Sequence, residues 1–202
     1  TPYAKEWARM ARRYRVRMLA IEATLATPER ARAQGLSYEG WREVMSRGCL
    51  ADHRQMARRG GELSKILSGE GTVTITTPFG TDLSLELGRR PVDLSDGMAS
   101  EEKAERAMVT FLPAGAIEVT TREESANGTV VYDAPIRRGK FMVQRLKVRI
   151  ADGRVVHHEA SEGDGIFRQY LKGGGEDAGR FAFMGFGLNP NLRHGYTQDD
   201  KV

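Results

Sequence analysis

The sequence predicts an α+β fold, with a helical part over residues 1–70 and a mainly antiparallel β-rich part over residues 71–202. Three observations lead there. Apolar residues recur every three or four positions as far as residue 68. The period then shortens to two after Gly69, and Gly-bearing turns separate the short alternating runs that follow. A chain of 202 residues, 40% hydrophobic and 29% charged, also has the balance of a globular protein able to bury a core.

Taken in order, residues 3–26 read as one amphipathic helix. Trp7, Met10, Ala11, Tyr14, Met18, Ile21 and Leu25 form its apolar stripe, with Arg9, Arg12, Arg13 and Arg17 between them. Thr27 followed by Pro28 is a cap with proline at the first helical position, and Gly35 ends that turn. Ser37 opens a helix carrying Trp41. Residues 49–68 give another, with Leu50, Met56, Leu63, Ile66 and Leu67 apolar and Gly60-Gly61 expected to interrupt or kink it. Thr72–Thr76 and Leu83–Leu87 alternate about a Pro78-Phe79-Gly80-Thr81-Asp82 turn and read as a hairpin. Residues 91–107 are polar and helix-compatible in places and read as an irregular connection. Strands are expected at 108–112, 116–121, 129–134, 141–150 and 154–160, the last two joined through Ala151-Asp152-Gly153. Ile166–Leu171 suits a short helix ended by Gly173-Gly174-Gly175. The apolar, Gly-rich run Ala182–Leu188 implies close approach of backbone to something.

Composition narrows the function classes. The single Cys49 excludes an internal disulfide framework and fits a reducing cytoplasm. No apolar run approaches the roughly 18 residues that would span a membrane, so no membrane partner is expected. Residues 1–70 hold 14 Lys+Arg and 8 Asp+Glu, and the remainder holds 17 and 19, so a basic N-terminal third precedes a nearly neutral rest. That third is either a solvated helix face or a surface for an acidic partner. No zinc finger, helix-turn-helix or RNA-binding signature supports nucleic acid as that partner. Nucleophile-elbow, Walker and dinucleotide Gly motifs are absent as well.

Ordered blocks carry the most information: Gly80-Thr81-Asp82-Leu83, Leu112-Pro113-Ala114-Gly115, Ser125-Ala126-Asn127-Gly128-Thr129-Val130-Val131-Tyr132, Asp152-Gly153-Arg154-Val155, and Gly185-Phe186-Gly187-Leu188-Asn189-Pro190. With Asp199-Asp200-Lys201, this series resembles the C-terminal half of the aminopeptidase T-type metallopeptidases, a fold also used by the iron enzyme dihydroxypyridine dioxygenase. The resemblance runs from about Thr27 onward. It implies a fold whose N-terminal α/β domain is mostly missing here, and dimers. It also implies a metal-ligating Glu directly after the Leu-Pro-x-Gly turn and a second ligand just ahead of the Gly-rich run. Those positions are Ala116 and Phe183, which have no lone pair to donate. The remaining ligands the resemblance implies, a His-x-Asp pair among them, would lie beyond Val202.

Six residues are candidates for ligand contact: Glu118, Ser125, Asn127, Asn189, His194 and Tyr196. Glu118 shares a strand face with Ala116 but sits about 6–7 Å further along, too far to replace a ligand around an unmoved metal. It reads otherwise as a solvated or ion-paired strand charge. Ser125 and Asn127 fit a turn as readily as a donor set. Asn189 with Pro190 forms either a turn or a carboxylate- or peptide-binding corner with His194 and Tyr196. His157 and His158 are strand neighbours facing opposite sides, so they cannot share one metal.

The expectation is therefore a metal-free, non-catalytic relative of this fold, without a cofactor or catalytic residue. It would bind a peptide or small polar ligand, including an acidic precursor peptide in natural-product biosynthesis, and pair as a homodimer or with a homologue. The alternative is a fragment of a metal-dependent aminopeptidase or a ring-cleaving iron dioxygenase.

Overall fold

A computed structural model describes residues 2–21, 27–33, 35–138 and 141–192. Its helices are α1 (Pro2–Arg13), α2 (Pro28–Ala33), α3 (Tyr38–Cys49), α4 (His53–Leu67), α5 (Glu101–Glu105) and α6 (Asp164–Gly173). The strands are β1 (Met18–Ile21), β2 (Glu70–Thr76), β3 (Asp82–Gly88), β4 (Val92–Ser95), β5 (Val109–Leu112), β6 (Ala116–Thr120), β7 (Asn127–Val131), β8 (Ile136–Arg138), β9 (Phe141–Val143), β10 (Lys147–Ala151), β11 (Arg154–Glu159) and β12 (Phe183–Gly187). Helices accompany sheets whose described strand pairs are mostly antiparallel, β1 with β5 being parallel, which makes the fold α+β.

Two compact units divide the chain. One comprises Thr1–Leu63, Leu94–Ile117 and Phe186–Arg193; the described part of the other comprises Ser64–Asp93 and Glu118–Gly185.

In the first unit the helix expected over residues 3–26 stops at Arg13. Val16 N donates to Ala11 O and Arg15 takes a φ of 49°, the reversal that closes a helix with its six-to-one bond. Arg15 is held there by Glu101 at 2.9 Å and Glu105 at 3.5 Å. The chain then runs as β1, parallel to β5 with Met18 opposite Val109 and Ile21 opposite Leu112. Tertiary pairing thus overrides a helical period. Thr27 and Ser37 cap α2 and α3 as their positions suggest, accepting from Arg30 N at 3.2 Å and Gly40 N at 3.0 Å. Trp41, Met45 and Met56 are buried.

Gly60-Gly61 does not interrupt α4. A Cβ on Gly60 would lie 2.3 Å from Leu94 Cδ1 and 3.2 Å from Leu188 Cδ1, so the glycine admits neighbouring side chains against the helix. Leu50 and Ile66, expected on the apolar face, are exposed. The connection at 91–107 holds the Ser100-capped α5, as its helix-compatible stretches allow, and also a strand, β4, that its sequence does not suggest.

The second unit is built on a sheet of order β11-β10-β7-β3-β2. Leu83, Leu85 and Leu87 of β3 are buried, as are Val148 and Ile150 of β10, so alternate residues of both strands form a core face. The hairpin between β2 and β3 follows the sequence expectation. So does that between β10 and β11, where Asp152 (φ 49°) and Gly153 (φ 72°) form the two-residue turn. The single strand expected at 141–150 is two strands, because Arg145 takes a φ of 48° between β9 and β10. A further sheet has the order β12-β6-β4.

Candidate functional site

Two groups of sequence blocks come together, and each forms a packing hub. In the first unit, the Leu112–Gly115 turn meets Asn189. Asn189 is 8% exposed, and its amide donates to Gly48 O at 2.9 Å and Ala114 O at 2.6 Å. Its carbonyl oxygen accepts from Asn191 N at 3.0 Å, which closes a turn on the following backbone. Gly115 has a φ of 118°, and a Cβ there would lie 2.5 Å from Asn189 Cβ and 2.9 Å from Met56 Sδ. Leu188 N donates to Gly115 O at 2.8 Å. Both amide hydrogens of Asn189 are committed to backbone, so this candidate for ligand contact is a structural clamp.

The second unit has a matching arrangement. Asn127 Oδ1 accepts from Asp152 N at 3.0 Å, and Gly153 N donates to Ala126 O at 2.9 Å, which seats the β10–β11 turn on the start of β7. Ser125 Oγ accepts from Glu86 N at 2.8 Å and donates to Arg122 O. A Cβ on Gly128 would lie 2.1 Å from Asp82 O, and one on Gly153 would lie 1.9 Å from Glu123 O. Thr81 Oγ1 completes the hub, accepting from Val131 N at 2.9 Å. Ser125 and Asn127 therefore hold strands and turns together.

Glu118 differs. It sits half-buried on β6, where Ala116 and Glu118 alternate with the buried Ile117 and Val119. Among the described residues its side chain has neither a hydrogen bond nor an ion pair, so the expected Arg partner is not there. β12 is its neighbour in the sheet and carries Phe183, 43% exposed. His194 and Tyr196 lie outside the described residues. Within the Gly-rich run, Gly187 is uncrowded, since a Cβ there would meet nothing.

Other titratable groups are engaged in structure. His53 bridges Cys49 O at 2.9 Å and Asp96 O at 3.2 Å, tying α4 to the loop before α5. Lys103 pairs with Asp96 at 2.5 Å, both side chains less than one-fifth exposed. His158 Nδ1 lies 2.7 Å from Asp164 Oδ1, and Arg168 lies 2.9 Å from the other oxygen. The bond from His158, then the Arg168 charge, holds the Asp164 carboxyl below the usual aspartate range. Burial pushes the Cys49 thiol up, so it is not an activated nucleophile.

A divalent metal does not fit the described residues. The two positions assigned to ligands by the family resemblance present a methyl and a phenyl group. No three His, Cys, Asp or Glu side chains converge among the described residues. No helix among the described residues is long and apolar enough to cross a membrane.

Comparison with known proteins gives the family. The profile of NicX, 2,5-dihydroxypyridine 5,6-dioxygenase, matches residues 42–200. No curated protein sequence matches at a significant level. The solved 2,5-dihydroxypyridine dioxygenase of Pseudomonas putida KT2440 is similar in fold, with a TM-score of 0.60 and 21% identity over 75% of this chain and 43% of that one. The aminopeptidase AmpT of Thermus thermophilus gives a TM-score of 0.50 and 16% identity, over 75% of this chain and 37% of that one. The chain thus spans less than half the length of either structure. The family profile covers more than three-quarters of the sequence, and on that ground this chain belongs to the 2,5-dihydroxypyridine 5,6-dioxygenase family.

Proposed function

We propose that this chain uses the dioxygenase-family fold to bind a peptide or small polar ligand without a metal of its own, as an accessory protein. The supporting observation is Glu118, a half-buried carboxylate with no partner among the described residues, on the strand face that carries Ala116. A carboxylate partly removed from water gains most from a cationic hydrogen-bond donor, such as the ammonium of a peptide amino terminus. The exposed ring of Phe183, on the neighbouring strand, offers apolar area for the rest of such a ligand.

Calorimetry with zinc and ferrous iron is expected to detect no one-to-one site in the 202-residue chain. Fluorescence anisotropy with short peptides is expected to detect binding that an acetylated amino terminus weakens. Tight stoichiometric metal binding, or peptide binding indifferent to Glu118→Gln, refutes the reading.

A second reading has one observation in its favour. Because the chain covers only 43% of the solved dioxygenase, it can be part of a metal-dependent enzyme whose ligands come from elsewhere. Metal uptake by a longer chain, with none by residues 1–202, distinguishes that case.

A further inference from the structure

We propose that the exposed side of β7, β10 and β11 carries a site for a single carboxylate attached to an aliphatic body, held by Arg149. An open cavity of about 390 Å³ lies there, lined by Gly128, Thr129, Arg149, Ile150, Ala151 and Val156. That volume is at the small end of ligand sites, which run from roughly 300 to 1,000 Å³. All six residues belong to the second unit.

Register explains why this arginine is available. Arg149 stands opposite Thr129 of β7 on one side and His157 of β11 on the other, so no acid faces it directly. Lys147, two residues earlier on the same strand face, stands opposite Glu159 and pairs with it at 3.3 Å. One cation of that face is thus matched across the strands, and the other is not. Among the described residues the side chains of Arg149, Thr129 and His157 have neither a hydrogen bond nor an ion pair. Tyr132 N donates to Leu146 O in a directly opposed pair, and bonded pairs alternate with non-bonded ones along an antiparallel ladder. Arg149 and Thr129 therefore form a non-bonded pair, in which side chains stand closest. Asp82 lies on the far side of Thr129, two strand spacings or about 9–10 Å from Arg149, where exposed charges are largely screened at physiological salt. Arg154, opposite Ala151, donates to the neutral Glu176 O at 3.1 Å, so its charge adds to a field that favours an anion.

A bulge supplies the apolar half of the site. Pairing steps from Arg149 opposite His157 to Ile150 opposite Val155, which leaves Val156 as an extra residue in β11. Bulges re-aim a side chain, and Val156, 50% exposed, lines the cavity together with Ala151. The chemistry of the ligand follows from these groups. One guanidinium beside a neutral hydroxyl balances one negative charge, and its planar fork matches both oxygens of a carboxylate. A phosphate dianion would leave a charge unmatched. Val156 and Ala151 then cover an aliphatic group next to the carboxylate. A short free acid and the carboxyl end of a peptide with an aliphatic last residue share this chemistry.

The test is an NMR titration of the isotope-labelled 202-residue chain with four probes: N-acetyl-leucine, its uncharged amide, isovalerate and inorganic phosphate. None of these carries an ammonium group, so the outcome is separate from the role proposed for Glu118. N-acetyl-leucine should give saturable shifts at the amides of Thr129, Arg149 and Val156, and its amide should bind about tenfold more weakly or worse. Isovalerate binding as tightly as N-acetyl-leucine identifies a free acid as the ligand, and weaker isovalerate binding identifies a peptide end; either supports the site. Arg149→Gln should weaken N-acetyl-leucine about tenfold or more, and Arg149→Lys should restore only part, since an ammonium cannot bind both oxygens in the same fork. Val156→Glu sets a like charge in the cavity wall and should abolish the shifts. The wild-type titrations decide the matter even where a variant fails to fold. The absence of saturable shifts at those amides overturns the proposal, as does an amide bound as tightly as the acid. Phosphate bound more tightly than either acid, or a folded Arg149→Gln chain that binds like wild type, does so too.

Discussion

Asn189 in the first unit and Glu118 in the second are both polar, both at least half-buried, and both candidates for ligand contact on sequence grounds. Their surroundings differ completely. Every hydrogen of the Asn189 amide goes to a backbone carbonyl, whereas Glu118 has no partner among the described residues. A buried polar group that is fully engaged is part of the scaffold, because breaking its bonds leaves other buried groups unpaired. One that is half-buried and unengaged has its hydrogen-bonding capacity to offer. The same contrast separates β7, paired on both sides, from β2, which among the described residues is paired on one.

If that contrast is right, damage to the hubs should show as lost stability and damage to the unengaged groups as lost binding. The largest effect is expected at Gly128. Its φ is 135° and any Cβ would strike Asp82 O, so Gly128→Val should cost about 4 kcal/mol or more and leave little folded protein by circular dichroism. Asn189→Ala removes the clamp and orphans two buried carbonyls. It should cost about 2–4 kcal/mol, lowering Tm by roughly 5–12 °C in a calorimetric scan. A shift below about 2 °C would demote the hub.

A smaller effect attaches to Asp164. Its carboxyl titrates below the ordinary aspartate range, so the folded state holds the charged form better than the unfolded chain does. The stabilisation is fully present above the ordinary aspartate value near 4 and is lost as pH falls through the lowered folded value. Asp164→Asn should therefore lower the urea midpoint at pH 7, and the gap to wild type should close towards pH 3. Glu118→Gln should be the mildest in stability, within about 0.5 kcal/mol by urea unfolding, while reducing peptide binding at least tenfold. A large stability loss there would place Glu118 with the hubs instead.

These comparisons also explain what was legible in the sequence. The blocks that carry the family resemblance are the hub residues: Thr81, Gly115, Asn127, Gly128, Gly153 and Asn189. Each is a position where only a glycine fits, or where one side chain must meet particular backbone groups, so the residue type itself records the constraint. The site was less legible. Ser125, Asn127 and Asn189 looked like donors because their chemistry is the same whether they face ligand or backbone, and only their partners tell the two apart. The spacing of Glu118 from Ala116 is legible in the chain, whereas the lack of a side-chain partner among the described residues is a property of the fold.

By itself, the sequence determined the caps at Thr27 and Ser37, both hairpins, and that Ala116 and Phe183 carry no donor atom in their side chains. These are local facts, set by a few adjacent residues or by what a side chain lacks. Tertiary structure decided that residues 18–21 leave a helical pattern for a parallel strand against β5, and that Gly60 is a packing surface within a continuous helix. It also decided that, among the described residues, β2 is an end strand of its sheet. Those outcomes depend on partners distant in the chain, where burial and pairing outweigh local preference.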